Sequence, residues 1–264
     1  MVDKADDKPP SPSPSADSSL TDLPALATTL QAASLEDEPS LLIIDTVGDL
    51  TELLKALADL PAWAPLFVFV SSTQKTYLVD IYTLKDKAFS HPTSEGSTLR
   101  SILESPSIPK VFFDVRNDSD ALFSHYGINL AGVQDLQLME LATRTFSRRL
   151  VNGLGKCIEH DAPMTLGERA KWKACKDAGR KLFAPECGGS YEVFIARPLS
   201  AKIIQYCAQD VQFLPKLWRK YNQRMTKNWR LRVETEVERR ITLSKSVSYN
   251  GKGRHMALAP KGWA

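Results

Sequence analysis

Gln205-Tyr206-Cys207-Ala208-Gln209-Asp210-Val211-Gln212-Phe213-Leu214 sits in a run without glycine or proline from Leu199 to Leu214. Apolar residues recur at Ile203, Ile204, Cys207, Val211 and Leu214, the period of an amphipathic helix. Tyr206 and Asp210, four apart, stack on one face of that helix with Cβ atoms about 6 Å apart. A phenol beside a carboxylate can orient a water and hold a divalent cation. Such a pair is more often the solvated face of an ordinary helix, so its meaning depends on the rest of the chain.

Upstream, Lys110-Val111-Phe112-Phe113-Asp114-Val115 is an apolar strand that feeds Arg116-Asn117-Asp118-Ser119-Asp120-Ala121-Leu122-Phe123. This predicts a helix over Asp118–Tyr126, capped by Asn117 and ended by Gly127. Val133-Gln134-Asp135-Leu136 is a last short strand. Earlier strands fall at Leu41–Asp45, Leu66–Val70 and Tyr77–Tyr82, the last two joined as a hairpin through Ser71-Ser72-Thr73-Gln74-Lys75. Leu50 to Leu60 is an amphipathic helix closed by Pro61, and residues 97–105 are another, opened by Ser97 or Thr98. From residue 137 onward helices and loops predominate, and Arg197-Pro198-Leu199-Ser200 opens the Tyr206 helix. Strands mixed with helices, then helices alone, predict an α/β layer with a helical remainder. Carboxylates beyond the C-terminal ends of strands are where such sheets build sites. Helix capping is the ordinary competing role for Asp118 and Asp120.

The 264 residues are 43% hydrophobic, enough for a real core. No apolar run approaches the roughly 20 residues of a membrane span, so no membrane partner is expected. The acidic, Pro/Ser-rich N-terminus lacks a secretory pattern. Four cysteines, at 157, 175, 187 and 207, form no CxxC pair and read as free thiols of a reducing compartment, nuclear or cytoplasmic. Residues 1–141 hold 9 Lys/Arg against 21 Asp/Glu, net −12, whereas residues 142–264 hold 25 against 10, net +15. A basic half suits a polyanionic partner. Arg148-Arg149, Lys171-Trp172-Lys173, Lys176, Arg180 and Lys181 could track a single strand by charge and stacking, or line a solvated helical hairpin. Residues 228–241 form a charged helix, followed by an irregular tail rich in glycine and cations that could touch nucleic acid or an acidic surface of the same protein.

Together the segments around Asp118, Arg197 and Tyr206/Asp210 resemble the DEDD-type 3′–5′ exonucleases of the tyrosine subgroup, in the ribonuclease D and Egalitarian-like branch found in fungal exonuclease-domain proteins. The resemblance covers about residues 40–221. It implies a ribonuclease H-like mixed sheet with flanking helices and a mostly helical C-terminal part. It divides the chain into a disordered acidic tail (1–38), an exonuclease-like domain (39–225), and a charged helix with a basic tail (226–264). In that family two divalent ions, Mg²⁺ or Mn²⁺, are held about 3.5–4 Å apart by four acidic residues and activate the attacking water. The resemblance places the third motif on Tyr206 and Asp210 and the second-motif aspartate on Asp118, with Asp120 the alternative register. Asp118 and Asp210 are then metal ligands, Tyr206 positions water, and the partner is single-stranded RNA or DNA.

The first motif of that family, Asp-x-Glu on the first strand, has no counterpart in Leu66-Phe67-Val68-Phe69-Val70-Ser71-Ser72. One strand and a turn, about 15–20 residues at usual lengths, is missing before Thr76-Tyr77-Leu78-Val79-Asp80. Asp45 precedes the exonuclease sheet, Glu52 lies on the first helix, and Asp80 reads as structural, so none replaces it. Either this is a non-catalytic member that kept the fold as a nucleic-acid- or protein-binding scaffold, or an exon boundary is misplaced inside the motif. Two remaining carboxylates would hold Mg²⁺ weakly, because that ion gives up water reluctantly.

Overall fold

The structure, a computed structural model, describes residues 41–44, 46, 49, 67–70 and 75–264. The expected 1–38 tail, the Leu50–Leu60 helix with Glu52, Asp45 and the turn at 71–74 lie outside the described residues.

Strands β1 (Leu41–Ile44), β2 (Phe67–Val70) and β3 (Lys75–Val79) form one sheet in the order β1-β3-β2. β3 runs parallel to β1, with Leu41 opposite Thr76, and antiparallel to β2, with Phe67 opposite Leu78. The hairpin pairing matches the sequence reading, but β3 ends at Val79 rather than Tyr82. Asp80 is the cause. Its carboxylate accepts from the Thr83 backbone N–H (3.1 Å) and hydroxyl (2.9 Å), which caps a helical turn at Ile81–Leu84 in place of extended chain.

A turn at Lys87–Ser90 and helix α1 (Leu99–Glu104) follow, the latter opened by a Thr98/Ser101 capping box. β4 (Lys110–Phe112) then pairs in parallel with β5 (Val133–Asp135) in a second, two-stranded sheet. β4 stops short of Val115 because Asp114 takes φ 60°, ψ 72°, a left-handed conformation that aspartate tolerates better than most residues. The chain turns there into α2 (Val115–Tyr126), which ends on left-handed Gly127 as expected. The helix starts three residues earlier than its sequence suggests, so Asn117 lies inside it and caps nothing.

The remainder is helical: α3 (Leu136–Thr143), α4 (Leu154–Asp161), α5 (Leu166–Phe183), α6 (Ala201–Gln212), α7 (Leu214–Arg224) and α8 (Lys227–Ser244). Phe89, Leu99, Leu103, Ile128, Leu136, Leu138, Leu141 and Tyr221 are fully buried between these helices and the strands. A smaller apolar cluster of Leu78, Ile203 and Cys207 seats α6 on β3. α8 packs on α2, α3 and β5. The tail beyond it folds back: Val151 N–H donates to the Ala257 carbonyl (2.9 Å), and Trp263 meets Trp229 at 5.1 Å. The charged helix and tail, distinct in composition from residue 226 on, are thus packed against the elements before them.

Candidate nucleic-acid site

Helix α6 starts where the Ser200 hydroxyl accepts from Ile203 N–H (3.4 Å), and its apolar face buries Ile203, Cys207, Ala208 and Val211. That anchoring leaves Tyr206 and Asp210 together on the flank facing α5, as the four-residue spacing requires. Lys176 of α5 reaches both. Its ammonium donates to Asp210 Oδ1 and lies 4.2 Å from the Tyr206 ring centroid. Gly179, one turn along α5, explains the close approach. A Cβ there would stand 2.4 Å from Tyr206 Cδ2 and 2.7 Å from Tyr206 Cβ, closer than atoms can pack. Phe183 closes the other side of the ring at 5.1 Å. Burial raises the Asp210 carboxyl above its ordinary value despite Lys176. Burial would lower Lys176, but Asp210 outweighs it and the ammonium is held above its usual range.

Asp118 belongs to a different cluster. Asp114, at the turn into α2, receives two bonds from Arg116 (both 2.6 Å) and one from Arg240 of α8 (3.3 Å). Asp135, 0% exposed at the end of β5, accepts the backbone N–H groups of Asp114 (3.0 Å), Val115 (3.2 Å) and Gln137 (3.0 Å) and Arg240 Nη1 (2.8 Å). Asp135 therefore ties β5, α2, α3 and α8 into one joint. The Asp118 side chain reaches solvent. Loss of hydration in its crowded surroundings, with the charges of Asp114 and Asp135, pushes its carboxyl up to about 7, an effect that water at the open side screens in part. Among the described residues no hydrogen bond or ion pair joins Asp118 to Asp210. Asp120, two positions on, accepts from the Ser124 hydroxyl (3.0 Å).

Several sequence expectations meet their partners here. Asp80 is structural, as read: it is 4% exposed and takes a two-pronged contact from Arg197. Trp172 is buried and offers no stacking platform. Arg148 spends its guanidinium on the carbonyls of Leu141 and Arg144. Gly179 and Arg240 carry no mark of a site residue in the sequence, and Lys176 reads there as a cation that could track a strand, not as the partner of Asp210. Only the cost of a glycine within a helix marks Gly179 as unusual.

A mixed sheet with helices on its flanks, and a Tyr-x-x-x-Asp helix seated on β2 and the central strand β3, defines a ribonuclease H-like exonuclease architecture. A family model described as 3′-5′ exonuclease matches residues 66–226, and the chain belongs to that family. It is similar to the piRNA biogenesis protein EXD1 of Mus musculus, 31% identical over 150 residues, which are 55% of this chain and 24% of that protein. The chain therefore spans about a quarter of that relative. Trypanosoma brucei RNase D in complex with RNA U12 superposes with a TM-score of 0.64 at 19% identity, covering 90% of this chain and 81% of that one. Its GMP complex gives 0.65 at 21% identity, covering 85% and 70%. These likenesses establish the ribonuclease H-like fold. Among the described residues no helix is long and apolar enough to cross a membrane.

Proposed function

We propose that this chain engages 3′ ends of single-stranded RNA or DNA through an exonuclease domain of the tyrosine subgroup, in the ribonuclease D and Egalitarian-like branch, and that in this sequence hydrolysis is very slow. One observation carries the reading. The Tyr-x-x-x-Asp helix lies against a helix whose Lys176 reaches Tyr206 and Asp210 and which also exposes Lys171, Lys173 and Lys181. A phenol, a carboxylate and a helix rich in cations suit a phosphodiester strand that ends there. RNA is the first substrate to test, since the RNase D neighbour was solved with RNA. The family match favours action on nucleic acid over a protein-binding scaffold. A nuclear or cytoplasmic location fits the thiol content.

Divalent-metal chemistry, general in this family, supplies charge stabilisation and an activated water when the ions are bound. The donor set here does not fit a two-metal centre. Asp-x-Glu occurs nowhere in the chain. Among the described residues no three His, Cys, Asp or Glu groups are placed to share an ion. Asp210 is already paired with Lys176, and Asp114 and Asp135 with arginines. Asp118 and Asp210 would therefore hold Mg²⁺ or Mn²⁺ weakly.

The test uses a labelled single-stranded oligonucleotide. Binding should weaken as salt rises, and shortening with Mg²⁺ or Mn²⁺ should be barely detectable. A strand bearing Asp-x-Glu inserted between Val68 and Phe69 should confer turnover, which Asp210→Asn then removes. Absence of binding at low salt refutes the strand reading. Robust turnover in the unaltered chain refutes the reading of the metal site.

A further inference from the structure

The segment after Ser244 has no part in the site described so far, yet with α8 it builds a cavity. This open cavity of about 370 Å³ is walled by Arg116, Arg239, Arg240, Ser248, Tyr249 and Lys261, among others. Glu236 is the one carboxylate on its wall, and Arg239 holds both of its oxygens (2.7 and 2.6 Å). Arg240 is the most informative lining residue. Its side chain is 3% exposed, Nη1 is bound to Asp135 and Asp114, and Nε lies 3.9 Å from Glu236. Nη2 has no partner among the described residues. Nη2 is not sealed from solvent, so a water or a ligand in the cavity can accept from it. Lys261 makes no ion pair among the described residues, and the Ser248 hydroxyl also lines the cavity, whereas the Ser246 hydroxyl donates to the Leu243 carbonyl (2.8 Å).

The cavity is fixed next to Asp118. Tyr249 Oη donates to Asn117 Oδ1 (2.8 Å). Gly251 packs so tightly that a Cβ on it would stand 2.2 Å from the same oxygen. Arg116 donates to the Met256 carbonyl (2.8 Å). The basic tail thus lies over the first turn of α2, one residue from the second-motif aspartate.

We propose that this cavity binds a phosphate group, and that the phosphate belongs to the backbone of the single strand whose 3′ end the exonuclease site receives. Guanidinium groups match phosphate oxygens in geometry as well as charge, and Lys261 and the Ser248 hydroxyl add to the donor set. The phosphate site stands on the cavity, whereas the identity of the strand rests on the function proposed above.

The experiment compares the full chain with an Arg239→Gln/Lys261→Gln double variant, which alters two cations at the cavity mouth and leaves Arg116 and Arg240 in place. Inorganic phosphate is titrated while the imidazole signals of His255, another lining residue, are followed by NMR. A labelled single-stranded oligonucleotide is then titrated at several salt concentrations. The proposal expects a saturable phosphate response in the parent chain that the double variant loses. It also expects oligonucleotide affinity to fall about tenfold in the double variant, with the log–log salt slope reduced by about 1–2. No saturable phosphate response overturns the site. An unchanged affinity and slope in the double variant overturn its role in holding the strand. A phosphate response in a chain that binds no oligonucleotide keeps the anion site and overturns the strand reading instead.

Discussion

Replacing Lys176 with methionine should make Asp210 a better ligand for a divalent cation. The ammonium and carboxylate are in direct contact, with side chains 24% and 30% exposed. Two unit charges 4 Å apart attract by about 4 kcal/mol at an effective dielectric of 20. Partial exposure reduces this toward the about 1.5–3 kcal/mol typical of a charged hydrogen bond. An ion that binds Asp210 must first displace Lys176, so its removal should tighten Mn²⁺ binding by about tenfold or more, at about 1.4 kcal/mol per factor of ten. Free Mn²⁺ measured by EPR at pH 8 reports this directly. That pH matters because loss of Lys176 removes the group that lowers the Asp210 carboxyl, and a protonated carboxyl would not bind the ion. A Lys176→Met/Asp210→Asn double variant should lose the gain. Equal Mn²⁺ affinity in the parent chain and Lys176→Met, with the variant folded, would refute the idea that Lys176 stands on this carboxylate in solution.

Four further outcomes follow from named contacts. Gly179→Ala should destabilise the chain in urea titration, since overpacking against Tyr206 costs about 1–3 kcal/mol and outweighs the roughly 1 kcal/mol helix-propensity gain; a more stable variant would show that α5 and α6 are not in close contact. Arg240→Met strands the Asp135 charge and should cost about 3 kcal/mol, at the low end for a broken buried pair because three backbone N–H donors remain; a melting temperature lowered by less than about 2 °C would mean that Asp135 does not need Arg240. Lys110 is fully buried, with Nζ on the carbonyls of Ile102 (2.9 Å) and Ser105 (2.5 Å), and burial lowers it to about 8. Below pH 8 both folded and unfolded chains carry this proton, but between about 8 and 10.5 the unfolded chain holds more, so stability relative to Lys110→Met should rise with pH across that window by up to about 3 kcal/mol; a flat difference would place the ammonium in water. Finally, EDTA should leave the melting temperature unchanged, because the carboxylates that fold buried have protein cations as partners; a fall on chelation would reveal a structural ion.

What the sequence revealed was confined to neighbours within an element. The α6 periodicity placed Tyr206 and Asp210 on one face, Gly127 ended α2, and Thr98 opened α1, because helix geometry and capping depend on residues three or four apart. Partners across the fold left no such trace. Lys176 lies 34 residues from Asp210, Arg240 lies 105 from Asp135, and Arg116 lies 140 from Met256. A cationic helix such as α8 looks the same whether an arginine faces water or a buried carboxylate. The β3 and β4 boundaries slipped for a related reason. Asp80 and Asp114 sit at the ends of apolar runs that read as strand, and only their side-chain bonds and backbone angles turn the chain early.

The two clusters share a chemical logic. In both clusters a carboxylate is crowded by protein and a cation stands against it: Lys176 of α5 on Asp210, Arg240 of α8 on Asp135, and the neighbouring Arg116 on Asp114. A carboxylate buried without a partner is costly, and in this family metal ions commonly share that burden. Here internal cations stand in that place beside Asp210, Asp135 and Asp114. They also leave the surface around the site positive, since α5 presents further lysines and the α8–tail cavity presents Arg239 and Lys261. On the function proposed above, this arrangement suits holding a nucleic-acid strand better than cutting it. Restoring the Asp-x-Glu strand tests that balance, because it adds the missing oxygen ligands without touching any of these cations.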